Sequence, residues 1–345
     1  MNIQKITVPG FEEVYSCKDK DSGLHAFIAI HSTRLGPSCG GIRLWSYPSE
    51  REALEDVLRL SKAMTYKAAS AGLNLGGGKS VMIANPDEPK REKMLHAMGQ
   101  FIDSLQGRYL AAEDARITPE DLEIISKETK FVTGLHKGSG DPSPVTAEGV
   151  LLGIKVSIEE ALGKKNFSGV SVALQGLGHV GFNLAKLLVH SGASVTAAEI
   201  NPKLLEKARK ELSVHAVSPE DILHVKADIF SPCALGCVLN HDNIPKLHFK
   251  VVAGAANNQL ENPDANDRLL FDRKILYAPD YVINAGGLIN IYVRDILHEK
   301  DVHPWLNLIP KNLREIFTIS KKEKIPPGLA ADRLAEKRLK SGPSR

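Results

Sequence analysis

The stretch VSVALQGLGHVG, residues 170–181, decides the fold of the second half of this chain. A short apolar run ends at Gly176 and predicts a strand, and Val180, Leu184 and Leu188 recur at helical spacing after it. Between strand and helix stands GxGxxG, whose glycines permit a tight turn, close approach of a pyrophosphate and helix–strand packing. The helix N-terminus attracts phosphates. We therefore predict a dinucleotide-binding loop made by Gly176, Leu177, Gly178, His179, Val180, Gly181 and Phe182.

An acidic residue follows this loop at the expected place. The next predicted strand, ASVTAAE, ends at Glu199, eighteen residues after Gly181. A carboxylate there accepts hydrogen bonds from the adenosine ribose hydroxyls and repels a 2′-phosphate, which favours NAD over NADP. The nearby Lys203 could soften that preference. The alternative is a strand–turn–helix that holds no ligand.

Strand and helix patterns extend in both directions from this loop. Short apolar runs bounded by glycine, proline or asparagine predict a parallel sheet with covering helices, at VSVALQ (170–175), ASVTAAE (193–199), VVAGAA (251–256) and YVINAG (281–286). Upstream, strands are predicted at 12–19, 24–32 and 80–84. Helices are predicted from Ser49 to about Lys67 with a stop before Gly72, over 89–106 and 118–127, and from Thr146 to about Leu162.

These patterns predict an α/β protein with two domains. The segment GSGDPSPVTAEG, residues 138–149, is rich in glycine and proline and predicts a boundary. We place one domain at 1–140, a Rossmann-type NAD-binding domain at 141–310, and a C-terminal helical segment at 311–345 that packs back on the first domain. A length of 345 residues agrees with two domains of about 150 residues each.

Composition excludes several classes of protein. Lys and Arg total 44 against 41 for Asp and Glu, so a net charge of +3 gives no reason to expect nucleic acid. No apolar stretch reaches the roughly 18 residues of a membrane-spanning helix. The start, MNIQKITVPGFEE, lacks a signal-peptide pattern, and we expect a cytoplasmic location. Four cysteines are too few for a disulfide scaffold.

A second glycine-rich stretch, MTYKAASAGLNLGGGKS at 64–80, carries two lysines. It is not a P-loop, because Leu73 stands where that motif needs glycine and because a helix precedes it and a strand follows. One lysine could pair with a substrate carboxylate. The other, repelled by the first and desolvated, could be neutral near neutral pH, as a general base requires. Two solvated lysines on a flexible loop are the alternative.

The acidic pair in AAEDARI, residues 111–117, is the third chemical feature. It follows an apolar pair at the end of a predicted strand. Asp114 could exchange a proton with an amine. A helix cap or a loop salt bridge is the alternative.

Eight segments occur in an order that resembles the amino-acid dehydrogenases related to glutamate dehydrogenase, most closely the leucine/valine/phenylalanine branch. They lie between about Gly36 and Asp295: GPSCGGIRLW, MTYKAASAGLNLGGGKS, AAEDARITPEDLEII, GDPSPVTAEG, LQGLGHVG, DIFSPCALG, AGAANNQL and NAGGLIN. The resemblance implies reversible conversion of an L-amino acid and NAD to a 2-oxo acid, ammonium and NADH. It also implies an N-terminal substrate domain separated by a cleft from the dinucleotide-binding domain.

Residue roles carry over by motif. The resemblance implies that Lys67 holds the substrate carboxylate, that Lys79 activates water, and that Asp114 exchanges a proton with the substrate nitrogen. Further positions complete the implied site: Gly40 and Gly41 beneath the substrate, Thr146 and Asn257 at the nicotinamide end, and Asn284 beside substrate or nicotinamide.

The resemblance places Cys39, Ala112, Leu288 and Ile291 around the substrate side chain. None can pair with a second carboxylate, which argues against glutamate and favours leucine, isoleucine and valine. Leu288 leans toward the phenylalanine branch, so a phenylalanine dehydrogenase is an alternative. A catalytically silent NAD-binding regulator is another.

Two further expectations concern the rest of the chain. Ala115 and Arg116 replace the Val-Gly typical of the leucine branch, and a bulky cation there could alter the loop that carries Asp114. Cys233, Cys237, His241 and His248 have loose spacing for zinc, so we expect no metal site. The family implies a homo-oligomer, often an octamer.

Overall fold

The computed structural model describes residues 1–85, 87–135, 138–234 and 236–343. Leu235 of the DIFSPCALG motif and the last two residues of the predicted C-terminal segment lie outside the described residues. The chain divides into two compact units. The first comprises Met1–Asp141, Arg294–Glu299 and Ala335–Arg345, and the second comprises Pro142–Val293 and Lys300–Leu334.

A mixed sheet forms the centre of the first unit. Among the described residues its strands are β1 (Asn2–Ile6), β2 (Glu13–Asp19), β3 (Leu24–Ser32), β4 (Ser38–Trp45), β5 (Gly76–Ile83) and β6 (Tyr109–Glu113), in the spatial order β1-β2-β3-β5-β4-β6. Strand β4 runs parallel to β5 and β6, and the other pairs are antiparallel. Helix α1 (Glu50–Ala71) covers one face, and α2 (Arg91–Asp103) and α3 (Pro119–Ile125) cover the other.

Local chemistry explains the ends of α1. The Ser49 side chain accepts a hydrogen bond from the Glu52 N–H, and Gly72 ends the helix in the left-handed conformation with φ 77°. The predicted N-terminus and the predicted stop before Gly72 are confirmed, and the helix continues past Lys67 to Ala71. The strands predicted at 12–19 and 24–32 and the helices within 89–106 and 118–127 are also confirmed.

The glycine run Gly76–Gly78 belongs to strand β5, which therefore begins four residues before the predicted strand. A Cβ atom on Gly77 would overlap the backbone of Thr65 in α1, so glycine lets helix and strand pack closely. Lys67 lies in α1 and Lys79 in β5. The alternative of two lysines on a flexible loop is wrong.

The second unit contains a fully parallel sheet within its described part. Its strands are β7 (Ser171–Gln175), β8 (Ser194–Ala198), β9 (His215–Ala216), β10 (Ile229–Pro232), β11 (Val251–Val252) and β12 (Leu276–Tyr277), in the order β12-β11-β10-β7-β8-β9. Counted along the chain from β7, this is the Rossmann order 6-5-4-1-2-3. The predicted Rossmann-type domain is confirmed. Its topological switch point lies between β7 and β10.

Helices alternate with these strands and continue nearly to the end of the described chain. They are α4 (Ser143–Leu162), α5 (His179–His190), α6 (Pro202–Leu212), α7 (Pro263–Asp272), α8 (Asp280–Ile283), α9 (Gly286–Ile291), α10 (His303–Leu306), α11 (Leu308–Glu323) and α12 (Pro327–Ser341). A π-turn, Tyr292–Ile296, follows α9. Within the first unit, Arg338 of α12 donates to the carbonyls of Ala69 (3.0 Å) and Ser70 (2.6 Å) at the end of α1.

The predicted strand YVINAG is wrong. Its residues form α8 and the start of α9, because a short buried apolar run has no periodicity that separates strand from helix. The predicted strand VVAGAA is reduced to Val251–Val252. Strand β10, which is central in its sheet, was not among the predicted strands. No helix in the described part of the chain is long and apolar enough to cross a membrane.

Candidate active site

Three charged side chains converge on the face of the first sheet that α1 covers. Lys79 lies on β5, Arg43 on the neighbouring β4, and Asp114 directly after β6. In register, Arg43 lies opposite Val81, two residues beyond Lys79, so both side chains point to one face. Parallel pairing of β4 with β6 brings Asp114 to the same end of the sheet.

Asp114 accepts from both cations through one oxygen. The Oδ2 atom lies 3.1 Å from Lys79 Nζ and 2.7 Å from Arg43 Nε. Arg43 also donates through Nη1 to Oδ2 of Asp56 on α1 at 3.0 Å. Lys79 is only 5% exposed, whereas the Asp114 side chain is 25% exposed, so the ion pair is buried on the lysine side and reaches solvent on the carboxylate side.

Burial and neighbouring charges shift both members of the pair. Burial lowers the pKa of the Lys79 ammonium, the Asp114 carboxylate opposes that shift, and Arg43 adds to it; the net direction is down. Burial alone would raise the pKa of Asp114, but Lys79 and Arg43 outweigh it and the pKa is lowered. The arrangement combines a stable carboxylate with an amine that releases its proton more readily than a free lysine.

Gly40 and Gly41 allow three strands to meet tightly at this point. A Cβ atom on Gly41 would overlap the Glu113 carbonyl and the Asp114 side chain, and one on Gly40 would overlap the Gly78 carbonyl. The buried Tyr109 hydroxyl donates to the Gly40 carbonyl at 2.7 Å. The two glycines thus let Asp114 approach β4 and β5.

The remaining predicted residues of the first unit lie on the same elements. Lys67 is partly exposed on α1, two residues after Thr65, which packs on β5. Cys39 on β4 is buried, and burial raises the pKa of its thiol to about 12, so it presents a small neutral surface. Ala112 on β6 lies opposite Gly41 and is 6% exposed.

The glycine-rich loop of the second unit has the shape of a phosphate-binding turn. Gly176 has φ +94°, and a Cβ atom on it would press against Ala234, while one on Gly181 would overlap the Gly176 carbonyl. Among the described residues, a Cβ atom on Gly178 would meet no atom within 4 Å. His179, Val180 and Gly181 form the first turn of α5, and the first N–H groups of a helix have no partner within the helix and suit a phosphate.

Residues flanking this loop are fixed by hydrogen bonds and ring contacts. The Leu177 N–H donates to Oε2 of Glu199 (2.6 Å), and the Asn201 N–H donates to Oε1 (2.9 Å). Both carboxylate oxygens are therefore held in place at the end of β8. The ammonium of Lys207 lies 4.7 Å from the centre of the Phe182 ring.

Asn257 and Asn284 lie together after β11 and α8. Asn284 donates through Nδ2 to Oδ1 of Asn257 at 2.7 Å. Asn284 is 5% exposed, and its buried Oδ1 has no hydrogen-bond partner among the described residues. A buried acceptor of this kind is costly unless a ligand donates to it. Thr146 on α4 donates its hydroxyl to the Pro142 carbonyl at 2.8 Å.

Leu288 and Ile291 occupy one face of α9, three residues apart. Leu288 is 7% exposed and Ile291 is intermediate. None of the four predicted selectivity residues is charged; they are Cys39, Ala112, Leu288 and Ile291.

Sequence reasoning missed Arg43 and its partner Asp56. Arg43 stands within the quoted GPSCGGIRLW segment, and alternation along a strand puts it on the same face as Gly41 and Cys39. That signal was available, but the contact with Asp114 depends on the register of β4 against β6, which sequence does not give.

Hydrogen bonds hold the turn that follows Asp114. The Ile117 N–H donates to the Asp114 carbonyl at 3.0 Å, and Arg91 donates to the Arg116 carbonyl at 2.7 Å. The Arg116 guanidinium lies 3.9 Å from the centre of the Trp45 ring. In the described parts of the chain, no group of three His, Cys, Asp or Glu side chains could hold a metal ion.

Two family models match the chain. "Glu/Leu/Phe/Val dehydrogenase, dimerisation domain" matches residues 11–131, and "Glutamate/Leucine/Phenylalanine/Valine dehydrogenase" matches residues 199–296. The first range contains Arg43, Lys67, Lys79 and Asp114, and the second contains Glu199 and Asn284.

Individual relatives match nearly the whole chain. Leucine dehydrogenase of Geobacillus stearothermophilus is 47% identical over 340 residues, which cover 96% of this chain and 91% of the relative. Valine dehydrogenase of Streptomyces virginiae is 43% identical over 339 residues and 96% and 94% of the two chains. The crystal structure of L-tryptophan dehydrogenase from Nostoc punctiforme superimposes with a TM-score of 0.87 at 42% identity, covering 96% of each chain.

Proposed function

The chain belongs to the Glu/Leu/Phe/Val dehydrogenase family and is an amino-acid dehydrogenase, and from this premise we propose NAD-dependent, reversible oxidative deamination of branched-chain L-amino acids. The products are a 2-oxo acid, ammonium and NADH. The observation that carries the proposal is the ion pair of the buried Lys79 with Asp114, because it supplies a proton acceptor and a fixed carboxylate side by side.

The residues of this chain divide the proton transfers between them. Lys67 binds the substrate carboxylate as a point charge. Lys79, whose pKa burial lowers, takes a proton from the water that attacks the α-carbon. Asp114 exchanges a proton with the substrate nitrogen, and its two cationic neighbours keep it ionised between turnovers. When bound, a nicotinamide ring supplies the hydride acceptor for this chemistry.

The second unit fits a dinucleotide on three observations. Open space over Gly178 leaves room for a pyrophosphate beside the start of α5, and Glu199 is fixed by two backbone N–H groups where a ribose would lie. The unpaired Oδ1 of Asn284 can accept from a carboxamide N–H. We propose NAD rather than NADP, since the negative charge of Glu199 repels a 2′-phosphate.

An aliphatic substrate is the leading candidate. Cys39, Ala112, Leu288 and Ile291 offer apolar or weakly polar surfaces, and the second carboxylate of glutamate would find no cation among them. One methylene in such a pocket changes binding by roughly 1–3 kcal/mol, so leucine, isoleucine and valine should all be used. A second candidate is an aromatic substrate, because an L-tryptophan dehydrogenase is similar to this chain at nearly the same identity as the leucine dehydrogenases.

The test is NADH absorbance with the purified chain at alkaline pH, using L-Leu, L-Ile, L-Val, L-Phe, L-Trp and L-Glu, with D-Leu as the control. NADP replaces NAD in a parallel series. We expect turnover led by an aliphatic L-amino acid and weaker turnover with NADP. Turnover led by Phe or Trp would support the aromatic candidate. No turnover by protein that binds NADH would support a silent regulator instead.

We also propose that the chain acts as a homo-oligomer, with the octamer of the family as the expected state. The support is the matching model over residues 11–131, which describes a dimerisation domain.

A further inference from the structure

Charges of alternating sign run outward from the Lys79–Asp114 pair into helix α1. Arg43 joins Asp114 to Asp56, with its Nε on the first carboxylate and its Nη1 on the second. Asp56 also accepts from the Tyr47 hydroxyl at 2.7 Å and, through its other oxygen, from Arg59 at 2.7 Å. Two carboxylates, those of Asp114 and Asp56, thus hold the Arg43 guanidinium.

Arg43 and Lys79 compete for one oxygen. Both contact Oδ2 of Asp114, and the contact with Arg43 is the shorter, at 2.7 Å against 3.1 Å. A carboxylate that is already neutralised by a guanidinium attracts an ammonium less strongly. Arg43 also brings a second positive charge close to Lys79, which disfavours the protonated amine.

We propose that Arg43 is a positioning residue for the proton transfer: it occupies the Asp114 oxygen that Lys79 would otherwise hold alone, and thereby weakens the hold of Asp114 on the Lys79 ammonium. The link to catalysis rests on the proposed function, in which Lys79 is the base. The placement of Arg43 itself rests only on the contacts with Asp114 and Asp56.

The sign follows from the charges that face Lys79. Asp114 after β6 and Asp56 on α1 favour the ammonium, and Arg43 on β4 opposes it. Cys39 on β4 is neutral, because burial and Asp295 raise the pKa of its thiol to about 12. Removing the charge of Arg43 leaves two carboxylates without their shared cation. Lys79 then keeps its proton to a higher pH.

The experiment compares full-length wild type with Arg43→Gln and Arg43→Lys. The first readout is the pH dependence of kcat/KM. The second is competitive labelling of lysines by acetic anhydride at a series of pH values, quantified for the Lys79 peptide by mass spectrometry, with the exposed Lys93 as internal reference. In Arg43→Gln we expect both Lys79 midpoints to rise, on the order of one pH unit. Below the midpoint kcat/KM then falls about tenfold. Arg43→Lys keeps the charge, so its Lys79 midpoint should lie between those of wild type and Arg43→Gln.

Arg59→Gln is the matched control, because it removes a guanidinium that contacts Asp56 but not Asp114. Its labelling midpoint for Lys79 should match wild type. An unmoved midpoint in folded Arg43→Gln overturns the proposal, even if activity falls at every pH. If wild type oxidises no amino acid but the labelling midpoint still rises, the proposed function fails and the placement of Arg43 stands. If Arg43→Gln does not fold, the Lys79 midpoint of Arg43→Lys decides. A midpoint and a kcat/KM equal to those of wild type would contradict a role for the guanidinium that contacts both Asp114 and Asp56.

Discussion

Arg116 occupies a backbone position better suited to glycine. Its φ is +62°, in the left-handed region, and that conformation costs a residue with a Cβ atom about 1 kcal/mol or more. Two contacts offset the cost: the stacking of the guanidinium on Trp45 and the hydrogen bond from Arg91 to the carbonyl. The stacking on Trp45 requires the Arg116 side chain. The hydrogen bond from Arg91 is accepted by the backbone carbonyl, so it would survive a substitution at this position.

This division predicts the order of two variants. Arg116→Ala loses the stacking and keeps the strained φ, so it should be destabilised by about 1 kcal/mol. Arg116→Gly loses the same contact but relieves the strain, so it should be more stable than Arg116→Ala by about 1 kcal/mol. Urea unfolding of the three proteins measures the order. Equal stability of the two variants would contradict backbone strain at Arg116. Because the Arg116 side chain contacts Trp45, we expect kcat to stay near the wild-type value in both variants.

Lys79 carries a second prediction at this scale. Removing a positioned acid–base group costs on the order of 10²–10⁴-fold in rate, so Lys79→Ala should lose kcat by that factor. Asp114 would remain paired with Arg43, and the dinucleotide loop lies in the other unit, so NADH binding should persist. Steady-state kinetics and NADH fluorescence titration measure the two quantities. An unchanged kcat would remove Lys79 from the mechanism.

At the scale of elements, the start of α12 is held by a buried acid. Asp267 on α7 accepts from the Gly328 N–H at 2.7 Å, and burial raises the pKa of Asp267 to about 7. Its Oδ1 has no hydrogen-bond partner among the described residues. The anion benefits from the helix N-terminus, but desolvation outweighs that benefit.

The sign of the pH effect follows from linkage. The pKa of Asp267 is higher in the folded chain than its ordinary value of 3.8, so the folded state binds this proton more tightly. Its contribution to stability is complete below pH 4 and is lost as the pH rises to 7. Asp267→Asn removes this dependence. Between pH 5 and 8 the variant should gain on the order of 2 kcal/mol relative to wild type, measured by urea unfolding at both values. If the free energies of unfolding of wild type and Asp267→Asn changed in parallel with pH, Asp267 would have no part in the pH dependence.

Elements with strong local signals could be predicted from the sequence. Ser49 with Glu52, and Thr118 with Asp121, place the starts of α1 and α3, and the strand–GxGxxG–helix unit places β7 and α5. The glycine run could not be assigned to a strand from the sequence, because glycine ordinarily weakens strands. Gly77 lies in β5 where a Cβ atom would overlap Thr65 of α1, a long-range contact that the sequence does not show. The strand prediction at YVINAG was wrong because a short, buried apolar run shows no helical periodicity.

The site was predictable to the extent that single motifs carry it. GGGK and AED supply Lys79 and Asp114, whose contact at 3.1 Å the structure provides. The contact of Arg43 with Asp114 requires the pairing of β4 with β6, which joins residues 71 positions apart. The unpaired oxygen of Asn284 depends on how α8 packs beside residues 255–257. No local pattern encodes either arrangement.

At the scale of the whole molecule, the open edge of the first sheet bears on assembly. Among the described residues β1 pairs only with β2, which leaves its other edge unpaired. Met1, which directly precedes this strand, and Ile3 on it are 48% and 38% exposed. Unpaired edges and exposed apolar side chains favour association. The net charge of +3 is too small to oppose it strongly.

The chain should therefore be an oligomer in solution, and the proposed octamer would have a mass of 8 × 37.5 = 300 kDa. Size-exclusion chromatography with light scattering at micromolar concentration measures this mass directly. Repeating the run in 0.5 M NaCl is the control, because association through apolar surface and backbone pairing should persist while association through surface charge should weaken. A smaller multiple of 37.5 kDa would correct the number of subunits. A single species of 37.5 kDa would contradict assembly altogether.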